Sequence, residues 1–111
     1  MSKAYKTIFS RYAEDDLIAI LDYFSAINPE YSLKLLETIE SRVSELKRHP
    51  ERGRIVPELE KQNMVEYRES IEGNYRIIFA VESDTVIIHT IIDARRGFEE
   101  LIMNKLMRFY G

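Results

Sequence analysis

The stretch from Met64 to Arg96 reads MVEYRESIEGNYRIIFAVESDTVIIHTIIDARR, and it is the most strand-like part of the chain. Tyr75 to Val81 and Thr85 to Ala94 are rich in β-branched and aromatic residues, which favour a pleated, half-buried surface. Met64 to Ile71 has the same character more weakly. We therefore predict a three-stranded antiparallel meander here as the floor of the fold.

The register of this meander decides which side chains share a face. A three-residue loop at Glu72 to Asn74 would place Ile71 opposite Tyr75, and Ser83-Asp84 would close the second hairpin. One face is then predicted to be an apolar core face, with Val65, Tyr67, Ile71, Tyr75, Ile77, Phe79, Val81, Val86, Ile88, Thr90 and Ile92. The opposite face is predicted to be mixed and to point outward, with Arg68, Ser70, Arg76, Ile78, Ala80, Ile87, His89, Ile91 and Asp93. We expect function on this mixed face.

The flanking segments predict one more strand and three helices. Ala4 to Phe9 alternates like a strand and is expected to join the edge of the meander. If it lies beside the last strand, the sheet is mixed. Two amphipathic helices joined at Asn28-Pro29 predict an antiparallel hairpin that covers the core face. Glu51 to Asn63 is interpreted as a loop, and Phe98 to Tyr110 as a short amphipathic helix. The predicted fold is an α+β two-layer sandwich, in which the N-terminal strand and the helical hairpin pack on the three-stranded meander.

Length and composition limit the class of protein. The 111 residues are expected to form a single domain, residues 1–111. The chain contains no cysteine and no Gly-rich phosphate loop, and its His, Asp and Glu lack metal-ligand spacing, so no metal or cofactor is expected. No apolar run approaches the ~20 residues of a membrane helix, and the N-terminus lacks a signal peptide, so we expect a cytoplasmic protein. The formal net charge of −3 argues against a non-specific nucleic-acid binder.

Two runs carry a family resemblance: HPERGRIVPEL at residues 49–59, and YRESIEGNYRIIFAVESDTVIIHTIIDARR at residues 67–96. With the preceding helix hairpin, they resemble the RelE/ParE toxin superfamily of bacterial and archaeal type II toxin–antitoxin systems over nearly the whole chain. The most specific piece is Tyr75 to Phe79, YRIIF. The resemblance implies a toxin that a cognate antitoxin wraps and neutralises. RelE-like members are ribosome-dependent endonucleases that cut mRNA, whereas ParE-like members poison DNA gyrase and have no established hydrolytic site.

For a RelE-like nuclease, the resemblance implies that Arg76 stabilises the scissile phosphate and that Glu58 acts as general base. Arg68, predicted to lie on the same face, would complete a phosphate clamp with Arg76. Structural alternatives are an ion pair of Arg76 with Glu58 or Asp93, and an ion pair of Glu58 with Arg68. These alternatives would order the loop without providing chemistry.

An arginine-lined surface can instead bind the target or an acidic antitoxin segment. The candidate binding residues are Arg68, Arg76, His89, Asp93, Arg95 and Arg96. A histidine such as His89 suits acid–base chemistry, although a histidine in the middle of a strand is more often packed in the core. The apolar residues of the last helix have two interpretations, core packing or a docking surface for the antitoxin or a second subunit.

The end of the last strand favours the ParE-like side. Nuclease members often carry His or Tyr there, but Asp93 to Arg96 offers no aromatic residue on which a base could stack. ParE-like members typically close with arginines, and a ribosome binder is expected to be strongly positive. We therefore interpret the chain as a ParE-like toxin that inhibits growth by binding its target, DNA gyrase. A RelE-like mRNA endonuclease and a non-toxic antitoxin-binding module are the alternatives, and the sequence leaves open both enzymatic activity and assembly as a homodimer or toxin–antitoxin hetero-oligomer.

Overall fold

Five strands form one mixed sheet in the computed structural model, which describes residues 4–95 and 97–110. The strands are β1 (Lys6–Phe9), β2 (Arg54–Ile55), β3 (Arg68–Glu72), β4 (Tyr75–Glu82) and β5 (Thr85–Asp93). Their order in the sheet is β1-β5-β4-β3-β2. β1 is parallel to β5, and the other neighbours are antiparallel. The predicted meander is confirmed, although its first strand begins at Arg68 and not at Met64. The N-terminal strand β1 joins the edge of the meander as expected, beside the last strand.

The helices are α1 (Arg11–Ile27), α2 (Pro29–Leu46), α3 (Pro57–Glu60) and α4 (Phe98–Tyr110). α1 and α2 form the predicted hairpin, because Asn28 ends the first helix and caps the second, with Pro29 following at its first position. The α+β class is confirmed. The prediction of a plain loop at Glu51 to Asn63 is wrong, since this segment contains a 3₁₀ turn, β2 and α3. None of the described helices is long and apolar enough to cross a membrane.

The first hairpin of the meander closes with a two-residue turn at Gly73-Asn74. Glu72 pairs with Tyr75, and Ile71 pairs with Arg76, so the predicted three-residue loop is wrong. The tight turn requires a φ of +58° at residue 73, which glycine adopts without strain because it has no Cβ. Because the turn is one residue shorter than predicted, each side chain of β3 lies on the face opposite to the predicted one.

This shift divides the two arginines of the predicted clamp between opposite faces. Arg68 pairs with Phe79 and lies under the helical hairpin, whereas Arg76 points to the other face together with Glu69. Ile71 is 45% exposed. The hydrophobicity of Ile71 predicts a core position for it, but in the structure the charged pair Glu69 and Arg76 is buried on this face instead.

A β-bulge in β5 changes the faces a second time. The turn at Ser83-Asp84 closes the second hairpin as predicted, with Glu82 opposite Thr85. The register then shifts at His89, the extra residue between the pairs Phe79–Ile88 and Ile78–Thr90. Beyond the bulge, Ile91 joins the core under the hairpin and Ile92 joins the other face, which reverses their predicted positions.

The sheet separates two apolar clusters. The first, under the helical hairpin, contains Ala13, Leu35, Ile39, Val43, Leu46, Tyr75, Ile77, Phe79, Val86, Ile88 and Ile91. The second contains Val56, Leu59, Tyr67, Ile78, Ala80, Ile92, Ile102 and Leu106, so α3 and α4 cover the opposite face. The prediction that this face points outward is therefore wrong. Ile102 and Leu106 favour core packing for α4, and the side chains of Phe98 and residues 107–110 lie outside the described part.

Gly53 occupies a position at the sheet where a side chain does not fit. A Cβ atom there would lie 2.7 Å from Cε1 of Phe79, closer still to Cζ of that ring, and 3.0 Å from the Glu69 carbonyl oxygen. Phe79 is fully buried and cannot move away freely. Gly53→Ala is therefore expected to lower the free energy of unfolding by about 1–3 kcal/mol through overpacking.

Denaturant unfolding of Gly53→Ala measures this loss. Gly97→Ala is the matched control, because nothing lies within 4 Å of a Cβ at that position. Adding Phe79→Leu to Gly53→Ala should recover part of the loss by making room. A Gly53→Ala protein as stable as Gly97→Ala would show that the Phe79 ring yields to the methyl group.

Candidate functional site

Arg76 lies at the centre of a chain of ion pairs on the face covered by α3 and α4. Its Nε donates to Glu69 Oε1 at 2.6 Å, and its two terminal nitrogens donate to both carboxylate oxygens of Glu58 at 2.8 and 3.0 Å. The second oxygen of Glu69 accepts a hydrogen bond from Arg54 Nε at 2.5 Å. Positive and negative side chains therefore alternate in space, in the order Arg54, Glu69, Arg76 and Glu58. We call these four residues the ion-pair network.

The register of the sheet builds this network. Arg54 on β2 lies directly opposite Glu69 on β3. Glu69 pairs with Ile78 of β4, two residues beyond Arg76, so the two charged side chains are diagonal neighbours on one face. Glu58 comes from α3, which the buried Leu59 anchors in the second apolar cluster. Two strands and one short helix thus place the four side chains.

The charges differ widely in burial. The side chain of Glu69 is 0% exposed, that of Arg76 is 9%, that of Glu58 is 24% and that of Arg54 is 57%. Burial disfavours the charged form of Arg76, but its hydrogen bonds to Glu58 and Glu69 outweigh this effect and raise its pKa. The hydrogen bonds from Arg76 also hold the pKa of Glu58 below its ordinary value. The pair Arg76–Glu58 is therefore fully charged at neutral pH.

The lowered pKa of Glu58 makes its ion pair a pH-dependent source of stability. A carboxylate whose pKa falls on folding stabilises the protein above its unfolded pKa, and this stabilisation is lost as the pH falls through the folded pKa. Urea unfolding of the wild type is therefore expected to show stability that declines below about pH 5. Glu58→Gln should flatten this decline, whereas Glu60→Gln, an exposed neighbour on α3, should leave it unchanged. An equal decline in all three proteins would contradict the prediction.

Arg68 stands apart from the network. Its NH1 donates to the carbonyl oxygen of Gly53 at 2.8 Å, on the hairpin side of the sheet. The predicted phosphate clamp of Arg68 with Arg76 is therefore wrong, because the β3 register places them on opposite faces. Of the structural alternatives considered for the sequence, the ion pair between Arg76 and Glu58 is the one observed. A role of Arg68 in binding stays a prediction.

His89 and Asp93 lie at separate places along β5. His89 sits at the bulge, half-buried, with its ring edge-on to that of Tyr67 at a centroid distance of 5.4 Å. Burial lowers its pKa, so the imidazole is neutral at pH 7. Asp93 accepts hydrogen bonds from Nε and NH2 of Arg95 at 3.0 and 2.7 Å. Arg95 is exposed, and Arg96 lies outside the described residues.

A groove of about 500 Å³ opens beside this pair, between α1, the end of β5 and α4. Its lining includes Asp93, Arg95, Tyr23, Leu101 and Lys105. Tyr23 is 64% exposed and stacks edge-on with Phe24, which in turn stacks with Tyr31. The groove therefore joins an aromatic wall to an exposed cation, and we call it the α1–α4 groove.

Two of the four network residues, Glu69 and Arg54, are not among those predicted from the sequence. A signal for Glu69 exists: in a two-residue hairpin at Gly73-Asn74, it falls on the same face as Arg76. The signal for Arg54 is weaker, because β2 is only two residues long. In the part of the chain that the structure describes, no group of three His, Asp or Glu residues is arranged to hold a metal ion.

Comparison with known proteins identifies relatives of this architecture. The model of the family described as the ParE toxin of the type II toxin–antitoxin system parDE matches residues 7–98. A search of curated proteins found no match. Among solved structures, a chain of the chromosomal ParDE TA system from P. aeruginosa is similar, with a TM-score of 0.67 and 24% identity over 83% of this chain and 98% of that chain. A chain of the toxin–antitoxin complex RelBE2 from Mycobacterium tuberculosis gives a TM-score of 0.54 and 19% identity over 81% and 98%. These two structures share the fold.

Proposed function

The chain belongs to the ParE toxin family of type II toxin–antitoxin systems, and we propose that it inhibits growth by binding its target rather than by cleaving a nucleic acid. The proposed target is DNA gyrase, in the cytoplasm. A cognate antitoxin neutralises the toxin in this proposal. That the two similar structures both come from toxin–antitoxin systems supports the antitoxin as a partner.

The pairing of Arg76 with Glu58 is the observation that supports action by binding and not by cleavage. A general base works best when its pKa lies near the working pH. Both carboxylate oxygens of Glu58 accept hydrogen bonds from Arg76, and these bonds lower its pKa. Arg76 is only 7% exposed, and Arg68 lies on the opposite face of the sheet. The three nuclease candidates thus form no open catalytic set, which supports action by binding.

The α1–α4 groove is the surface that we assign to protein contacts. It combines the exposed Tyr23 with Arg95. The guanidinium of Arg95 is held by an ion pair with Asp93 and remains exposed to solvent. Tyrosine and arginine are the residue types that dominate binding energy at protein interfaces. In this proposal, an amphipathic antitoxin segment packs its apolar side on the aromatic wall and directs an acidic side chain to the exposed Arg95.

Expression without an antitoxin, followed by two assays on the purified toxin, tests the proposal. Growth should stop, and gyrase incubated with the toxin and plasmid should lose supercoiling activity. Translating ribosomes incubated with the toxin should yield uncut mRNA. Site-specific mRNA cuts would instead establish the RelE-like endonuclease, and normal growth would favour the non-toxic antitoxin-binding module.

A matched pair of arginine variants tests the groove. Arg95→Ala should weaken antitoxin binding in calorimetry. Arg52→Ala should not, because Arg52 is exposed on the 3₁₀ turn and does not line the groove. Equal affinities for both variants would remove the groove from the proposed interface.

A further inference from the structure

Glu58 occupies a position that suits an anion brought by another molecule. Its two oxygens take both terminal nitrogens of Arg76 in a bidentate pair, the arrangement by which arginine recognises free carboxylates and phosphates. Arg54 lies close enough that its charge also lowers the pKa of Glu58. Glu58 is thus held by the guanidinium of Arg76, while Arg54, bonded to the other oxygen of Glu69, adds a second positive charge nearby.

The two acids around Arg76 differ in how firmly they are placed. Glu69 lies on a strand, fully buried, and holds the Nε edge of the guanidinium from the inside. Glu58 lies on a helix of four residues and keeps 24% of its side chain exposed. Rotation of the Glu58 side chain towards solvent would release its two hydrogen bonds to NH1 and NH2 of Arg76, while Leu59 stays in the core. The fully buried side chain of Glu69 cannot turn towards solvent in the same way.

We propose that Arg54 and Arg76 form an oxyanion site that the chain's own Glu58 closes in the free protein, and that a carboxylate of an acidic polypeptide replaces Glu58 there. With Glu58 turned away, two arginines and Glu69 leave a net charge of +1, which matches one carboxylate. The present occupant is itself a carboxylate, so the geometry fits that group. This inference goes beyond the proposed function and does not depend on gyrase as the target.

Competition with Glu58 explains why the site is closed in the free chain. Glu58 is held next to Arg76 by the fold, so its effective concentration is far above the millimolar values of flexible linkers. A free monovalent carboxylate cannot outcompete it at ordinary concentrations. A segment with several acids, anchored by other contacts, can do so. Removing Glu58 should therefore open the site to small anions.

The experiment compares Glu58→Ala with Glu60→Ala, which removes the same charge from an exposed position of the same helix. Melting temperatures are measured in sodium acetate, sodium phosphate and sodium chloride at equal ionic strength. Acetate should raise the melting temperature of Glu58→Ala by several degrees more than chloride does, because a ligand that binds only the folded state stabilises it. The wild type and Glu60→Ala should show only the general stabilisation that acetate gives any folded protein, so their gain over chloride should be smaller. A tetraglutamate peptide should bind Glu58→Ala at least ~10-fold more tightly than the wild type.

Each other outcome contradicts a part of the proposal. Equal acetate responses of Glu58→Ala and Glu60→Ala would overturn the site. If the excess response of Glu58→Ala over Glu60→Ala is larger in phosphate than in acetate, the site is assigned to a nucleic-acid backbone instead. An unchanged acetate response after adding Arg54→Gln would remove Arg54 from the site. If Glu58→Ala does not fold, Glu58→Asp, whose shorter side chain weakens the bidentate pair, must show the acetate response. None of these measurements depends on growth inhibition.

Discussion

Replacing Arg76 with alanine is expected to lower the free energy of unfolding by about 3–5 kcal/mol, the largest single effect that we expect in the chain. The cause is Glu69, whose side chain is fully buried and takes two hydrogen bonds from arginines. Without Arg76 it keeps only Arg54, which is 57% exposed. A buried carboxylate without adequate neutralisation is far less stable than the same group in water.

Chemical denaturation of three variants measures this effect. Arg54→Ala should cost less, about 1–3 kcal/mol, because it leaves one oxygen of the buried Glu69 without its hydrogen bond while Arg76 still holds the other. Adding Glu69→Gln to Arg76→Ala should recover stability, because the double variant removes the buried charge together with its partner. A loss below about 1 kcal/mol in Arg76→Ala would show that Glu69 does not depend on this arginine.

The same effect bears on any functional test of Arg76. Loss of toxicity or of cleavage in Arg76→Ala can follow from unfolding alone, since about 3–5 kcal/mol is a large part of a small domain's stability. Glu58 is the better position for separating the roles, because its substitution leaves the buried Glu69–Arg76 pair intact. Functional assays of this family member should therefore start from Glu58 and include Arg76 only with its measured stability.

The elements of the fold were predictable because their local signals agree with one another. Asn28-Pro29 both ends one helix and caps the next, and Ser10 caps α1 through its hydroxyl. The alternation in Ala4 to Phe9 and the β-branched runs of the meander leave little choice of element type. What these signals lack is information about register, since a shift by one residue changes every face without changing any element.

The site was less predictable because two local irregularities control it. The two-residue turn at Gly73-Asn74 and the bulge at His89 each move side chains to the other face. Hydrophobic alternation favoured burying Ile71, whereas the structure buries Glu69 because Arg76 and Arg54 neutralise it. A pattern of apolar residues cannot reveal a charge that is buried with its partner. Arg76 and Glu58, with their ion pair as an alternative, were therefore predictable from the sequence. The network around them was not.

Asp16→Ala is expected to lower the free energy of unfolding by about 2–4 kcal/mol, because one carboxylate joins three elements. Its Oδ2 accepts hydrogen bonds from Thr90 Oγ1 at 2.5 Å and from the Ile91 N–H at 3.1 Å, both on β5. Its Oδ1 accepts from Lys105 Nζ of α4 at 2.7 Å. The side chains of Asp16 and Lys105 are only 12% and 16% exposed. Alanine would leave the buried Ile91 N–H and the Lys105 ammonium without this acceptor.

Asp15→Ala is the matched control, because the neighbouring aspartate on α1 is exposed. Its loss should stay within about 0.5 kcal/mol, as for other surface substitutions. Asp16→Asn should fall between the two, since its amide oxygen can still accept from Ile91 while the charge opposite Lys105 is lost. Hydrogen exchange should locate the damage: in Asp16→Ala, amides of α4 should exchange faster, whereas those of α2 should change only as far as global stability does. Uniform acceleration across both helices would mean that Asp16 stabilises the fold as a whole and does not specifically hold α4 against α1 and β5.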